Sequence, residues 1–309
     1  MKKYLSTIIL FTAAIIWGFA FVAQKAATSI PAFTLVFSRS VIAVIALIFI
    51  TVIFDKASKN GRKLFDFKGK KIGIKKKELI SGAICGAFLF TASALQQVGI
   101  TETDAGKASF ITALYVVIVP IYALLFGKKS PLNAWIGIAF AVVGFYLLCI
   151  KDGFTVASSD IMVVLCAFVF AMQIIAIDIL LPGCDGIRLS LIQFVTTAIL
   201  SLIAALIFDP PFDFGAIYAV LPELLFLGIG SSGIAYTCQI IGQKNSEPAV
   251  ASIILSLESV FGALFSAIVL SERMMPKEYV GCILVLVAVI ISQIDFNQIS
   301  SKIKFKNTN

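Results

Sequence analysis

The segment "VGITETDAGKASFITALYVVIVP", residues 98–120, holds the residue types of a phosphate-binding loop, with Gly106 and Lys107 close to the hydroxyl of Ser109. Such a loop reads G-x-x-x-x-G-K-[ST], and its backbone N–H groups and lysine cradle phosphates. Here Thr101 stands where the first glycine belongs, and Ala108 separates Lys107 from Ser109, so the spacing excludes the loop. The sequence has no histidine, which removes histidine proton relays and histidine-based metal sites. Its six cysteines, Cys85, Cys149, Cys166, Cys184, Cys238 and Cys282, form no C-x-x-C pair. Nearly all lie in or beside apolar runs and read as small packing residues. No cofactor and no metal are expected. The scattered acids also lack the clustering that a membrane-embedded enzyme needs.

What remains is a set of polar and aromatic side chains set into long apolar runs. An ionisable group within a bilayer costs about 2.5–3.5 kcal/mol on insertion scales, so it marks a site by default. Glu258 lies in the middle of such a run. It either meets a cationic or amine group of a solute, couples a proton, or bonds to neighbouring helices. Arg39 and Asp178 lie nearer the ends of their runs. Arg39 either snorkels, pairs with Glu102 or Asp104, or holds a solute carboxylate. Trp17, Phe21 and Gln24 recur at i, i+4 and i+7, which is one helical face. Ser232, Tyr236, Gln239 and Gln243 do the same in another run. Glutamines on an aromatic stripe sit poorly against lipid, so both faces are expected to line a cavity. Gln173 and Gln193 are further polar candidates, and Gln96 and Gln97 end the third run. Pro120 lacks a backbone donor and is expected to kink its helix.

The elements that must position these residues follow from composition. Hydrophobic residues make up 60% of the chain and charged residues 14%, against about 45–50% and about 25% in soluble domains. The mean hydropathy is +1.02. Apolar runs of roughly 20 residues, each able to span the hydrocarbon core, recur along the whole length. They fall at 4–24, 33–54, 79–98, 106–126, 132–150, 160–180, 190–208, 220–242, 249–270 and 278–296. The start, "MKKYLSTIILF", has the look of a secretory signal, but the run is long and more follow, so it reads as a retained first helix. With the N-terminus inside, cytoplasmic segments hold 19 of the 25 Lys and Arg residues and outer segments hold 5, with Arg39 inside the second span. That bias fits the positive-inside rule. The basic loop 55–78 is a topology determinant that can also meet anionic lipid. It is tethered between spans and has no interleaved aromatics, so nucleic acid is not an expected partner.

The two halves of the chain also resemble each other. "LQQVGITETDAGKASFITALYVVIVP" aligns with "CQIIGQKNSEPAVASIILSLESVFGA". Gln96 meets Gln239, Gly99 meets Gly242, Asp104 meets Glu247, and Tyr115 meets Glu258. Pro120 meets Ala263, next to Gly262, which makes a bend near Pro120 and Gly262 a gating expectation. "WGFAFVAQK" aligns with "FAMQIIAID", so Trp17 meets Phe170 and Lys25 meets Asp178. Five helices form an odd-numbered unit, so two consecutive copies cross the membrane in opposite senses. Such inverted repeats suit alternating access around a central site.

These segments, together with "FSRSVIAVIAL" in helix 2 and "SLESVFGALFSAIVLSE" in helix 9, resemble the drug/metabolite transporter superfamily, specifically its EamA-like ten-helix type. The chain departs from that pattern where Ser259 replaces a frequent proline, Ser271-Glu272 replaces Gly-Glu, and Lys128 stands where Glu is common. The resemblance implies two EamA domains, a central cavity and transport of small organic solutes. Many relatives export amino acids or other metabolites, and others handle purines, cofactors, sugars or cations.

The expectation is therefore an all-α integral membrane protein of ten transmembrane helices in two inverted five-helix repeats, residues 4–150 and 160–296, with both termini cytoplasmic and a cytoplasmic tail at 297–309. It is expected to be a secondary transporter of small metabolites such as amino acids, not an enzyme. It would export them by alternating access across the plasma membrane, as a monomer or homodimer among membrane lipids. The competing reading is a channel, or a membrane-embedded enzyme or sensor. Lys107 becomes a first-turn residue of helix 4 with Asp104 as its cap. It either pairs with Glu102 or Asp104 or meets an anionic solute group.

Overall fold

The computed structural model describes residues 2–57, 64–66, 71–149, 157–269 and 274–294. Among them, nine helices are long and apolar enough to cross a membrane: α1 (Tyr4–Ala26), α2 (Ala32–Lys56), α3 (Lys76–Ile100), α4 (Ala105–Leu125), α6 (Ser158–Leu180), α7 (Gly186–Phe208), α8 (Leu221–Gln243), α9 (Pro248–Val269) and α10 (Pro276–Gln293). A shorter apolar helix, α5 (Leu132–Leu147), lies between α4 and α6. In hydrocarbon every backbone polar group needs an internal partner, which is why apolar runs of this length become helices. Side chains such as Phe49, Phe208 and Ile268 point outward and are exposed, as lipid-facing positions should be. A short helix, Phe214–Ala219, precedes α8. In the α2–α3 connection, β1 (Phe65–Asp66) pairs antiparallel with β2 (Lys71–Ile72). Residues 58–63 and 67–70 of the basic loop, and the whole tail 297–309, lie outside the described residues.

The helices pack in a definite set of pairs. α5 lies against α10, α2 against α7, and α4 against both α6 and α9. α3 packs on α6 and α7, while α1 packs on α8 and α9. Two glycines let chains approach closely. A Cβ on Gly99 would fall 2.4 Å from Val163 Cγ2, and one on Gly242 would fall 2.6 Å from Leu10 Cγ.

Three helices depart from regular α geometry, and all three carry candidate residues. α4 is interrupted at Leu114, between Ala105–Ala113 and Tyr115–Leu125. α9 is interrupted at Ser256, between Pro248–Leu255 and Leu257–Val269. At each break the ladder tightens to an i→i+3 step: Val117 N–H donates to Leu114 O at 3.0 Å, and Ser259 N–H to Ser256 O at 3.1 Å. In α9 the Ser256 and Ser259 hydroxyls also bond back to Ile253 O and Ser256 O, each at 2.8 Å, and so compete with the ladder. Pro120 lies inside the second segment of α4, six residues beyond the break. α8 widens into a π-helical stretch, Phe226–Ala235, rich in glycine. There Gly228 admits α2 so closely that a Cβ would lie 2.5 Å from Ile42 Cβ.

Helix ends are fixed by named contacts. The Asp185 carboxylate accepts from the N–H groups of Ile187 and Arg188, each at 3.1 Å, and caps α7. Gly127, with φ +73°, ends α4 in a Schellman motif, with Lys128 N–H on Ala123 O at 2.8 Å and Gly127 N–H on Leu124 O at 3.0 Å. Asp104 occupies the N-cap position of α4 but makes no side-chain cap bond, contrary to expectation. It is exposed and turned to solvent.

Candidate functional site

The breaks in α4 and α9 place Tyr115 and Glu258 in the wall of a narrow cavity within the bundle. α1 contributes Trp17, Ala20, Phe21 and Gln24; α2 contributes Arg39. α3 and α4 supply Gln96, Thr112 and Tyr115. α6 supplies Phe170, Gln173 and Ile174; α8 and α9 supply Ser231, Tyr236, Gln239 and Glu258. None of these residues is more than 9% exposed, so the site lies inside the bundle and not on its rim.

Its chemistry is one acid, one base, several amides and an aromatic wall. Arg39 Nη1 donates to Gln24 Oε1 at 3.1 Å. That neutral partner replaces the Glu102 or Asp104 expected for Arg39, because α2 turns the guanidinium into the bundle while both acids are exposed. Glu258 and the Tyr115 phenol face and interact with each other, and no other side chain offers either a well-aligned hydrogen bond among the described residues. Trp17 Nε1 donates to Ser231 O at 3.3 Å, and its ring meets Tyr236 with centroids 4.7 Å apart. Phe194 backs Tyr236 edge-on at 5.4 Å.

The amides form two short chains. Gln239 Nε2 donates to Gln173 Oε1 at 3.1 Å, and Gln173 Nε2 to Gln193 Oε1 at 3.3 Å. Gln193 thus orients a lining residue from behind. Gln96 Nε2 donates to Thr112 Oγ1 at 3.1 Å, and that hydroxyl meets Cys166 Sγ at 3.7 Å. A buried amide network is costly if half satisfied. Gln193 Nε2 and Gln239 Oε1 are among the atoms left without partners.

Trp17, Phe21, Gln24, Arg39, Tyr115, Gln173, Tyr236, Gln239 and Glu258 all meet at this cavity. Lys107 and Asp178 do not line it. Lys107 Nζ lies 2.5 Å from Asp160 Oδ2, at the start of α6, and not on Glu102 or Asp104. The parallel start of α6 brings Asp160 to it across 53 residues of sequence. Asp178 pairs with Lys128 near the other end of the same helix. Gly262 sits against α4, where an added Cβ would lie 2.7 Å from Ser109 Oγ.

Ala20, Thr112, Ile174 and Ser231 line the cavity without a sequence signal of their own, and Phe170 entered only as the repeat partner of Trp17. Thr112 precedes Tyr115 by three, and Phe170 precedes Gln173 by three, so a helical-face count from the polar residue finds both. Ser231 precedes Tyr236 by five and shares its side only because the intervening turn is π-helical. An α-helical count selects Ser232 instead, which is buried but does not line the cavity.

Each of three comparisons with known proteins finds a match. A family model described as the EamA-like transporter family matches residues 5–150 and again 157–293. A protein of Archaeoglobus fulgidus described as an uncharacterized transporter is 34% identical over 234 residues, covering 74% of this chain and 70% of that one. A crystal structure 17% identical in sequence superposes with TM-score 0.73 over 93% of this chain and 96% of its own, a likeness of fold alone.

Proposed function

The chain belongs to the EamA-like transporter family, and on that premise we propose that it is a secondary transporter that exports small organic solutes by alternating access across the plasma membrane. It is a multi-pass membrane protein and a transporter, not an enzyme. The proposal includes ten spans in two inverted repeats, residues 4–150 and 160–296, with both termini cytoplasmic.

The observation that carries this reading is the composition of the cavity wall. Its residues fall into pairs related by the internal sequence repeat: Trp17 with Phe170, Ala20 with Gln173, Phe21 with Ile174, Gln96 with Gln239, and Tyr115 with Glu258. The packing pairs obey the same exchange. α3 on α6 corresponds to α8 on α1, and α4 on α6 corresponds to α9 on α1. Gly99 against Ser159 and Val163 corresponds to Gly242 against Ser6 and Leu10. A site on the pseudo-axis of two opposed repeats can open to either side by exchanging the conformations of the halves. A receptor or an enzyme has no physical need for that symmetry. Broken α4 and α9 at the site supply the irregular backbone typical of transporter centres. Export as the direction follows the family resemblance.

The test is flux from proteoliposomes loaded with a metabolite mixture, followed by mass spectrometry with and without a pH gradient. Solute-specific release above empty liposomes is expected, and its absence would sink the transporter reading. Glu258→Gln is expected to flatten the pH dependence of that flux. Unchanged transport across pH would remove Glu258 from coupling. Single cysteines at Lys107 and Lys129 should label from opposite sides, and labelling from one side would overturn the topology.

A further inference from the structure

We propose that α2 and α7 carry a pair of repeat-related clasps, one at each end of the solute path, and that the charged clasp, Arg188 on Asp55, holds the inner end shut and the protein facing outward. The proposal rests on the transporter reading and adds a gate to it.

The packing pairs sort eight helices into two groups. α3, α4, α6 and α7 form one, and α1, α2, α8 and α9 form the other. The groups meet chiefly where α2 lies on α7 and where α4 crosses α9. α2 and α7 run antiparallel, so the start of each meets the end of the other. Both runs close on Ile-Phe-Asp, at 53–55 and 207–209. One offset between the halves carries Asp55 onto Asp209, Thr34 onto Arg188 and Arg39 onto Gln193. Each end of the pair is thus closed by an aspartate from one helix and the first turn of the other. On the proposed topology the Thr34 end faces out and the Arg188 end faces in.

The two clasps differ in strength. At the outer end Asp209 Oδ2 accepts from the Thr34 N–H at 2.6 Å and from its hydroxyl at 2.8 Å. At the inner end Asp55 Oδ1 accepts from Arg188 Nη2 at 2.7 Å. The same guanidinium donates through Nε to Gly73 O at 2.9 Å, and its Nη1 lies 3.4 Å from Asp185 Oδ2. Asp55 Oδ2 also takes the Leu64 N–H at 2.6 Å. The Arg188 and Asp55 side chains are only 5% and 10% exposed. An ion pair outweighs a neutral donor on a carboxylate, and breaking a buried one leaves a charge uncompensated. The cavity leans accordingly. Gln24 and Arg39, in the outer parts of their helices, line it, whereas their repeat counterparts Ile177 and Gln193, in the inner parts of theirs, do not. Exchanging the conformations of the halves would put Ile177 where Gln24 stands, with the Arg188 clasp released.

The test is the rate at which a small charged methanethiosulfonate reagent modifies single cysteines in the purified full chain in detergent, with the native cysteines replaced. Gln24→Cys is the outer probe and Ile177→Cys the inner one. The outer probe should react roughly tenfold faster or more. Equal rates, a faster inner probe, or no reaction at either would overturn the proposal, and this comparison needs no clasp variant to fold. Arg188→Thr, which gives the inner clasp the outer one's residue, should raise the inner rate about tenfold and lower the outer rate. Asp55→Asn should do the same, while Arg188→Lys, which keeps an ion pair, should hold the parent's ratio. A purely structural ion pair would raise both rates together, or lower the melting midpoint with neither rate changed, and either result overturns the gate. Proteoliposome flux separates the two readings. Metabolite flux without the reciprocal shift overturns the clasp and leaves the transporter standing, whereas a reciprocal shift without flux of any solute does the reverse.

Discussion

Lys25 closes α1 by placing its ammonium on three carbonyl oxygens of the α3–α4 turn: Ile100 at 2.9 Å, and Thr101 and Thr103 at 3.1 Å each. The last carbonyls of a helix have no partner within it, and a cation there also complements the helix dipole. Lys25→Met should therefore lower stability by about 1–2 kcal/mol, seen as a fall in the detergent-solubilised melting midpoint. Asp160 has a similar task, accepting from Lys107, from Thr103 Oγ1 at 3.0 Å and from Ala157 N–H at 2.8 Å. Asp160→Ala should cost about 1–3 kcal/mol by the same measurement. Neither bond was visible in the sequence. Lys25 aligns with Asp178 in the repeat, but the packing of α1 on α3 gives one a helix end, and that of α4 on α6 gives the other a lysine. Local spacing can name the charge but not a partner chosen by tertiary packing. The face of Trp17, Phe21 and Gln24 was legible because it needs only helical periodicity.

Helix extents were legible for the same reason. Each apolar run ends within four residues of its helix, since lipid leaves a long apolar run no other structure. The interruptions were not, because neither Leu114 nor Ser256 is a residue type that breaks helices. Pro120, which is, sits in a continuing segment. The close crossing of α1 and α9 depends on Gly18, where a Cβ would lie 2.3 Å from Phe261 Cβ and 2.9 Å from Gly262 N. Since backbone cannot yield as a flexible side chain does, Gly18→Ala should destabilise by about 1–3 kcal/mol. It should also slow flux if α1 and α9 must slide. A melt and a flux assay on the same preparation separate the two effects.

Across the whole molecule, α4 and α6 run parallel and are joined by a lysine–aspartate pair at each end, Lys107 with Asp160 and Lys128 with Asp178. The repeat-related helices α9 and α1 carry Val250 and Thr7 where the first pair stands, so that fastening has no charged counterpart. A beam pinned at both rims resists shear along its length and favours tilting as one piece, which points the moving seam elsewhere. We expect that seam at the crossing of α4 on α9, where Ser109 meets Gly262. In a background without native cysteines, Ser109→Cys with Gly262→Cys should oxidise to a disulfide that halts flux until reduced. A short thiol bridge between Lys107→Cys and Asp160→Cys should leave flux within about twofold of the unbridged protein, because it replaces a pin that is already in place. Arrest by the second bridge and freedom under the first would place the seam along α6 instead. The same pins give a salt signature: raised ionic strength loosens the partly exposed lysines and lets the beam flex, so coupling between the two rims should weaken before the fold does.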